Sequence, residues 1–521
     1  MADRLLLYQN YRDYRILEAT HLMHSTSKVK ENGRRRIAIV GGGFSGSMLA
    51  VHLLQAAQGR VCVTLIERSP IPGRGVAYGT QFDGHLLNVR ARDMSAYPDA
   101  PDHFVKWAQR NYSSSVKPCD FLPRLIYGQY IASQVREAAR SHADLLQCIQ
   151  DEAVSLLPAG ATTQIGLSSG QTVVADKVVL ALGNFPPRDL ALPGRTPEDS
   201  RFVANPWSMN SLLDPSRLNS ILLVGSGLTS VDVAIELRAR GFEGTIHMLS
   251  RRGLLPQSHK IVVPFPIAWN ERCPATARQL LRFIRKQIKT AEEQGSDWRA
   301  VIDSLRPFSQ TIWRSLPVPE QRRFLRHLRT YWDVHRHRVA GRIADHIARQ
   351  LRSGQMRAYA GRITECRQDN SGVHVAYRDR ESGLINQLCV DYVINCTGPE
   401  SDFRKVGSRL LSDLFEKRLA RPDELALGLD AAEDGAVLDG RGIASNSLYA
   451  VGPLRKGHLW ETTAVPELRV QVSDMAKLLL NSYSSRTADI PRFSLPQDSL
   501  LPDIASPTEE TCTSSNSTWA V

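Results

Sequence analysis

The stretch I-A-I-V-G-G-G-F-S-G, Ile37 to Gly46, runs apolar β-formers directly into Gly41, Gly43 and Gly46. This pattern predicts a strand that feeds a phosphate-binding turn. The residues that follow, S-M-L-A-V-H-L-L-Q-A-A, repeat their apolar positions at helical spacing. V-C-V-T-L-I-E then reads as a second buried strand ending at Glu67, 21 residues after Gly46. Strand, G-x-G-x-x-G, helix, strand and terminal acid make a complete Rossmann half. The glycines allow a tight turn and close backbone approach to a pyrophosphate, and the helix N-terminus offers it free N–H groups. Phe44 and Ser45 lie inside the turn and join the candidate binding set, and Glu67 is placed to accept a bond from a ribose hydroxyl. Taken alone, the turn fits NAD(P) or FAD equally.

A second unit decides between them. N-S-I-L-L-V-G-S-G-L-T-S runs from Asn219 to Ser230, with Gly225 and Gly227 in the first two glycine places and Ser230 in the third. A small residue suffices at the third place, which sets helix–strand packing. The next strand, G-T-I-H-M-L-S-R-R-G, ends in Ser250, Arg251 and Arg252 and has no acid. A carboxylate there would repel a 2′-phosphate, whereas arginines bind one through charge-assisted bonds. The second half therefore reads as an NADPH site, with NADH still admissible. Thr229 is added to the nucleotide-binding set, and the first loop is left for FAD.

The two halves share more than glycines. A-D-K-V-V-L-A-L-G ends at Gly183 and V-D-Y-V-I-N-C-T-G ends at Gly398. In each, an aspartate (Asp176, Asp391) stands seven residues before the final glycine, and Gly183 and Gly398 join the candidate cofactor-binding residues. This internal repeat predicts an α/β fold with two Rossmann-like domains, the NADP domain inserted into the FAD domain. The expected boundaries are 1–35 for an N-terminal extension, 36–200 for the first part of the FAD domain, 201–385 for the NADP domain, 386–483 for the second part of the FAD domain, and 484–521 for a disordered tail rich in Ser, Thr, Pro and Asp. A helical insertion is expected at about 270–350, where apolar stripes alternate with arginine faces.

A chain of 521 residues can bury a large core. The formal charge of +12 is uneven, because Arg251 to Arg352 holds 21 Lys and Arg against 8 Asp and Glu. That segment carries the whole excess. No window approaches the ~18 consecutive apolar residues of a spanning helix, and charges break the first 35 residues where a signal peptide would be apolar. The eight cysteines form no C-x-x-C pair, which disfavours a dithiol reductase and fits a reducing compartment, the cytoplasm. Basic balance without interleaved aromatic residues is poor evidence for nucleic acid.

Further blocks carry a family resemblance. G-R-G-V-A-Y-G (Gly73 to Gly79), H-L-L-N-V-R-A-R-D-M-S-A-Y-P-D-A-P-D-H-F-V-K-W (His85 to Trp107), F-L-P-R-L-I-Y-G-Q-Y (Phe121 to Tyr130), Y-W-D-V-H-R-H-R and G-H-L-W-E-T-T-A-V-P-E-L-R-V-Q occur in order. Over about residues 36–482 the chain resembles the bacterial FAD/NAD(P)-binding proteins of the YdhS type. These include FAD-dependent urate hydroxylase and are related to nitrosuccinate synthase and to flavin-containing and N-hydroxylating monooxygenases. The resemblance implies an FAD- and NADPH-dependent monooxygenase that uses molecular oxygen to hydroxylate a small polar substrate (amine, amino acid or purine) through a C4a-(hydro)peroxyflavin. It also implies that Arg74, Tyr78 and Asn88 contact the flavin side and that Gly452 lies near the ribityl chain. The sequence departs from the wider monooxygenase pattern in two places. R-F-V-A-N-P-W-S-M-N replaces the F-x-G-x-x-x-H fingerprint, and A-L-G-N-F-P-P carries Leu182 where the linker pattern has Thr. The architecture therefore transfers better than the reaction.

Two readings stand at several positions. Asn184 and Trp460 are the candidate catalytic residues, though the flavin carries the chemistry; Asn184 either donates to the nicotinamide or flavin rim or holds a turn, and Asn88 either faces flavin or caps a local turn. Trp460 and Glu461 either wall the flavin pocket or begin a helix. His335 to Arg338 (H-R-H-R) reads first as a solvated helix face and second as an anion-binding patch. Two other functions remain in view. One is a flavin oxidoreductase that reduces oxygen without inserting it, and the other is a flavin redox sensor docking RNA or protein through the basic insertion. The oligomeric state is not specified.

Overall fold

The computed structural model describes residues 33–211, 214–267 and 274–481. The expected N-terminal extension, apart from its last residues, and the expected tail lie outside the described residues. The predicted first strand is β1 (Arg35–Val40), followed by α1 (Phe44–Ala57) and β2 (Val61–Glu67). The chain continues through α2 (His103–Asn111), α3 (Arg124–Ser141) and β3 (Leu146–Gln150). A meander follows, made of β4 (Ala153–Ala159), β5 (Thr162–Leu167) and β6 (Thr172–Ala175), and β7 (Lys177–Leu180) then returns beside β1. A linker leads to β8 (Phe202–Val203), β9 (Ser220–Val224), α4 (Leu228–Ala239) and β10 (Thr245–Ser250).

Five helices come next: α5 (Ala277–Glu293), α6 (Trp298–Ser304), α7 (Ser309–Ser315), α8 (Val318–His327) and α9 (Arg329–Arg336). After α10 (Gly341–Arg352) come β11 (Met356–Gln368), β12 (Val373–Asp379), β13 (Ile385–Val390) and β14 (Tyr392–Asn395). The chain then returns to the first lobe with α11 (Arg409–Glu416), β15 (Ala436–Leu438), β16 (Ala444–Ala450) and α12 (Val465–Asn481). No helix among the described residues is long and apolar enough to cross a membrane.

The strands form two large sheets. The first has the order β15-β16-β7-β1-β2-β3 and is parallel except for β15. The second has the order β13-β12-β11-β10-β9-β14-β8, parallel from β11 to β8 with an antiparallel hairpin at its edge. Both parallel cores are buried, and their strands read as continuous apolar runs, as sheets covered on both faces must.

The sequence repeat is a structural repeat. Asp176 accepts the Arg36 N–H at 2.8 Å, and Asp391 accepts the Ser220 N–H at 2.9 Å. Each aspartate thus pins the returning strand to the start of its Rossmann strand. Gly41 donates to the Ile66 carbonyl at 2.9 Å, and Gly225 donates to that of Leu249 at 2.8 Å. Both glycines have left-handed φ, +103° and +121°. A Cβ at either would stand 2.4 Å from a carbonyl oxygen of the facing strand end, Ala181 in one case and Cys396 in the other.

Two expected boundaries move. The NADP-domain end at 385 falls where β13 begins, and the second sheet runs on to Asn395 because β14 pairs with β9 and β8. The helical insertion expected at about 270–350 ends with α9. α10 instead places Ile347 in the core of the second lobe and serves as the crossover helix between β10 and β11. A helix with an apolar stripe and an arginine face looks the same in both settings, so periodicity does not separate them.

Gly41→Ala combines a left-handed backbone with a clash on Ala181. It should cost about 2 kcal/mol or more of unfolding free energy. Gly43→Ala, whose Cβ would meet only Gly75 Cα at 3.7 Å, should stay within about 0.5 kcal/mol of wild type. Urea titrations of both variants check this contrast.

Candidate functional site

The two glycine turns present the same surface. Helix α1 starts at Gly43 and helix α4 at Gly227, neither start has a side-chain cap, and neither helix carries an acid in its first turn. The leading N–H groups of both helices therefore remain available to an anion. Gly43 and Gly227 both have open space where a Cβ would sit: nothing lies within 4 Å of that point at Gly227, and only Gly75 approaches at Gly43. These are cradles that a side chain would fill, and they fit a pyrophosphate on each turn.

Around the first turn the expected residues converge. Gly452, with φ +75°, sits so close to α1 that a Cβ there would be 2.9 Å from Ser45 Oγ. Phe44 is buried and stacks on Tyr127 at 6.3 Å. Tyr78 meets the same Tyr127 edge-on at 4.6 Å. Arg74 lies beside Gly128, where a Cβ would come within 3.3 Å of its side chain. Tyr127, which the sequence reading missed, is fully buried with a hydroxyl that has no hydrogen-bond partner. Burial pushes its pKa well above the ordinary tyrosine value. Glu67 turns inward, its two oxygens accepting the Gly42 N–H at 2.6 Å and the Ser69 N–H at 2.7 Å. A carboxylate has lone pairs beyond these two bonds, so acceptance of a ribose hydroxyl remains chemically open.

At the second turn, Ser226 Oγ bonds Ser250 Oγ at 2.7 Å, tying the loop to the end of β10. Arg251 is exposed, and Arg252 lies over the Tyr331 ring at 4.7 Å. Thr229 is half-buried in the first turn of α4. Gly183 and Gly398, both with positive φ, begin the two linkers that leave β7 and β14, and Asn184 is exposed on the first of them.

The lobes are joined by buried charge that sequence reading did not find. Arg124, in the first turn of α3, donates to Asp232 of α4 at 2.5 Å and to the Leu86 carbonyl at 3.0 Å. His85, 1% exposed, stands 3.2 Å from the Asp232 carbonyl and 3.3 Å from Glu236. The only local signal is two acids, Asp232 and Glu236, inside the otherwise apolar run Val231–Leu237, which implies buried partners. Nearby, His259 bonds the Asn88 carbonyl at 3.0 Å and tilts over Phe121. Asn88 therefore takes part in the lobe contact through its backbone. Burial first, then the Arg338 charge, push the His259 pKa down to about 4.

The insertion docks on the segment after Gly452. Trp460 is buried, stacked on Trp313 with centroids 4.7 Å apart and edge-on to Phe324. It faces the insertion and does not begin a helix, since α12 starts at Val465. Glu461 has a left-handed backbone, φ +69°, and accepts from Trp332 Nε1 at 2.7 Å. Burial raises its pKa, but His337 and Arg336 outweigh this and hold it below the ordinary carboxylate range. Arg306 grips Glu467 with two bonds of 2.7 and 3.0 Å. The first reading of His335 to Arg338 as a solvated helix face is overturned. Arg336 is 8% and Arg338 3% exposed, and they pair with Glu461 and Asp303. Their partners lie far away in sequence, so no local pattern reveals that burial.

Removing one partner of a buried pair strands the other charge. Asp232→Ala should therefore cost about 3 kcal/mol, read by urea unfolding. His259 gives a pH dependence of fixed sign. Its folded pKa is depressed, so its stabilisation is complete above the ordinary histidine pKa and is lost as pH falls towards about 4. The urea midpoint should drop on acidification across this window, and His259→Gln should flatten the drop.

Comparison with known proteins supports the same architecture. Residues 38–185 match a family described as FAD-NAD(P)-binding. A flavin-containing monooxygenase of Aspergillus flavus, ustF2, is 26% identical over 275 residues, 42% of this chain and 54% of that protein. The chain thus spans about half the length of the curated relative it matches. Among solved structures, ornithine hydroxylase PvdA of Pseudomonas aeruginosa has 17% identity and a TM-score of 0.56, covering 86% of this chain and 99% of its own. The FAD-bound cadaverine monooxygenase DfoA of Erwinia amylovora has 14% identity and a TM-score of 0.58, covering 89% and 99%. At these identities the likeness is one of fold. The chain is a mixed α/β protein with the paired parallel sheets of those structures, and it carries an FAD-NAD(P)-binding segment at 38–185.

Proposed function

We propose that the protein is an FAD- and NADPH-dependent monooxygenase acting on a small polar substrate, an amine, amino acid or purine, with molecular oxygen as co-substrate. One observation carries this reading. The glycine turn is built twice with the same backbone contacts, but one second strand ends in Glu67 and the other in Ser250, Arg251 and Arg252. A carboxylate suits an unphosphorylated ribose, and arginines suit a 2′-phosphate. FAD therefore belongs on the first turn and NADPH on the second. Within the FAD-NAD(P)-binding proteins, the ordered blocks from Gly73 to Gly79 and from His85 to Trp107 favour the YdhS type, and a cytoplasmic setting accords with the scattered cysteines.

When bound, FAD supplies hydride acceptance and oxygen activation. The protein's own contribution is positional. Gly43 and Gly46 would bring backbone N–H groups to the FAD pyrophosphate, while Gly41, whose own N–H is taken by the Ile66 carbonyl, shapes the turn, with Phe44 and Ser45 in the same turn and Glu67 at the ribose. Arg74, Tyr78 and Gly452 close around the flavin side. Gly225, Gly227 and Thr229 cradle the nicotinamide dinucleotide, and Arg251 and Arg252 take its 2′-phosphate. The Arg124–Asp232 pair holds the turns in one frame, which a short hydride transfer demands. The Trp313–Trp460 stack and the buried Glu461 cluster seal the insertion against the flavin lobe and exclude water there. The fold-related ornithine hydroxylase and cadaverine monooxygenase act on small amines, which supports that substrate class here.

The test is a screen of FAD-loaded protein for substrate-stimulated NADPH oxidation over amino acids, amines and purines. One class should raise NADPH consumption roughly tenfold, equivalent to about 1.4 kcal/mol, with hydroxylated product matching the NADPH used. If NADPH goes to hydrogen peroxide with every compound, the protein is a flavin oxidoreductase and the proposal fails.

A further inference from the structure

A cleft of about 910 Å3 opens where β10 and β14 end, with Arg251, Arg252 and Gly398 in its wall. Residues that no nucleotide motif names complete it. Arg326 of α8 and Arg329 of α9 enter from the insertion, and Arg362, Arg378 and Arg380 enter from the β11–β12 edge. Each acid in the wall already has a partner, in the case of Asp333 the cleft's own Arg329. Asp333 pairs with Arg329 at 3.4 Å, Asp379 accepts the Glu381 and Ser382 N–H groups, and Glu400 accepts the Asp402 N–H. Among the described residues, the guanidinium groups of Arg251, Arg326, Arg362 and Arg380 bond to no side chain or carbonyl.

The β11–β12 wall is also set against itself. Arg362 and Arg378 are directly opposite in the antiparallel register. Like charges in that relation destabilise a sheet, and an anion between them and the facing wall would relieve the repulsion. The cleft is a concavity of nucleotide size, bounded by cations on three sides and continuous with the strand end that the 2′-phosphate rule singles out.

We infer that Arg329 of the insertion and Arg380 of the β11–β12 edge complete, with Arg251 and Arg252, a two-sided clamp on the 2′-phosphoadenosine end of NADPH. This rests on the proposed placement of the pyridine nucleotide on the second turn and extends it. The basic insertion thereby acquires a function: it closes the nucleotide cleft and sets the preference for the phosphorylated coenzyme. Arg252 is already held by the insertion through its stacking on Tyr331, so the strand end and the insertion act as one wall. A guanidinium on each side of the phosphate would give charge-assisted bonds in two directions, which a single strand-end pair does not.

The probes are 2′,5′-ADP and 5′-ADP, titrated calorimetrically into the FAD-loaded protein. Wild type should prefer 2′,5′-ADP. Arg329→Ala and Arg380→Ala should each weaken 2′,5′-ADP about tenfold and leave 5′-ADP nearly unchanged. Arg285→Ala, an exposed charge on α5 outside the cleft, controls for net charge and should change neither. Thermal unfolding of each variant checks that the fold is retained. Unchanged 2′,5′-ADP affinity in Arg329→Ala and Arg380→Ala overturns the clamp and leaves selectivity with Arg251 and Arg252. Equal loss on both probes, with displacement by single-stranded RNA, makes the arginines a general polyanion surface and also overturns it. Wild type that binds neither probe removes the pyridine nucleotide from this turn, a failure of the underlying placement that the first two outcomes do not produce.

Discussion

The molecule depends on a backbone approach made twice. At Gly41 the first sheet's central strand turns so tightly against the end of β7 that the space for a Cβ is taken by the Ala181 carbonyl. At Gly225 the second sheet repeats this against Cys396. Each approach aims the start of a helix outward, with its leading N–H groups free of side-chain caps. The open faces of Gly43 and Gly227 lie just beyond these two contacts. The aspartates that pin β7 to β1 and β14 to β9 keep the facing strand ends in register, so that the approach is possible.

What joins the two copies is different in kind. Within each lobe the cohesion is apolar; between lobes, and beside the Trp313–Trp460 stack where the insertion meets the first lobe, buried charge is added. Arg124 with Asp232, Arg306 with Glu467, and Arg336 with Glu461 are each a cation and an anion from segments far apart in the chain. Such pairs contribute modest net stability but punish misalignment, because moving one partner strands the other. That suits a protein whose proposed chemistry needs two bound dinucleotides held at a fixed separation. Glu461 also shows the cost of the arrangement, since it takes a left-handed backbone to reach Trp332 and His337.

The fold was largely legible from local pattern. Glycine spacing, apolar runs and the Asp176/Asp391 repeat are written within a few residues of each other, and in the structure they form two strand–turn–helix units and pin the returning strands. The candidate site can be proposed from sequence only where its signals are local too, at the glycine turns and at Arg251 and Arg252. Arg124 and Asp232 are separated by 108 positions, and neither has a motif around it. Arg336 and Arg338 read as a solvated face because arginines on a helix usually are solvated; only the docking of α9 onto the Glu461 segment buries Arg336. The misplaced end at 385 and the merging of α10 into the insertion have a similar cause. A short edge hairpin and a crossover helix carry the same periodicity as their neighbours, and only sheet pairing tells them apart.

The proposed chemistry puts FAD on the first turn and NADPH on the second, with a hydride passing between them. Anaerobic rapid mixing of the FAD-loaded protein with NADPH tests this most directly. NADPH deuterated at the transferring C4 position should bleach the visible flavin absorbance more slowly than protiated NADPH. Gly227→Ala should lose the reduction while retaining its flavin. A wild-type protein whose flavin is not reduced by NADPH, or a Gly227→Ala variant reduced as fast as wild type, would rule out this placement of the two cofactors.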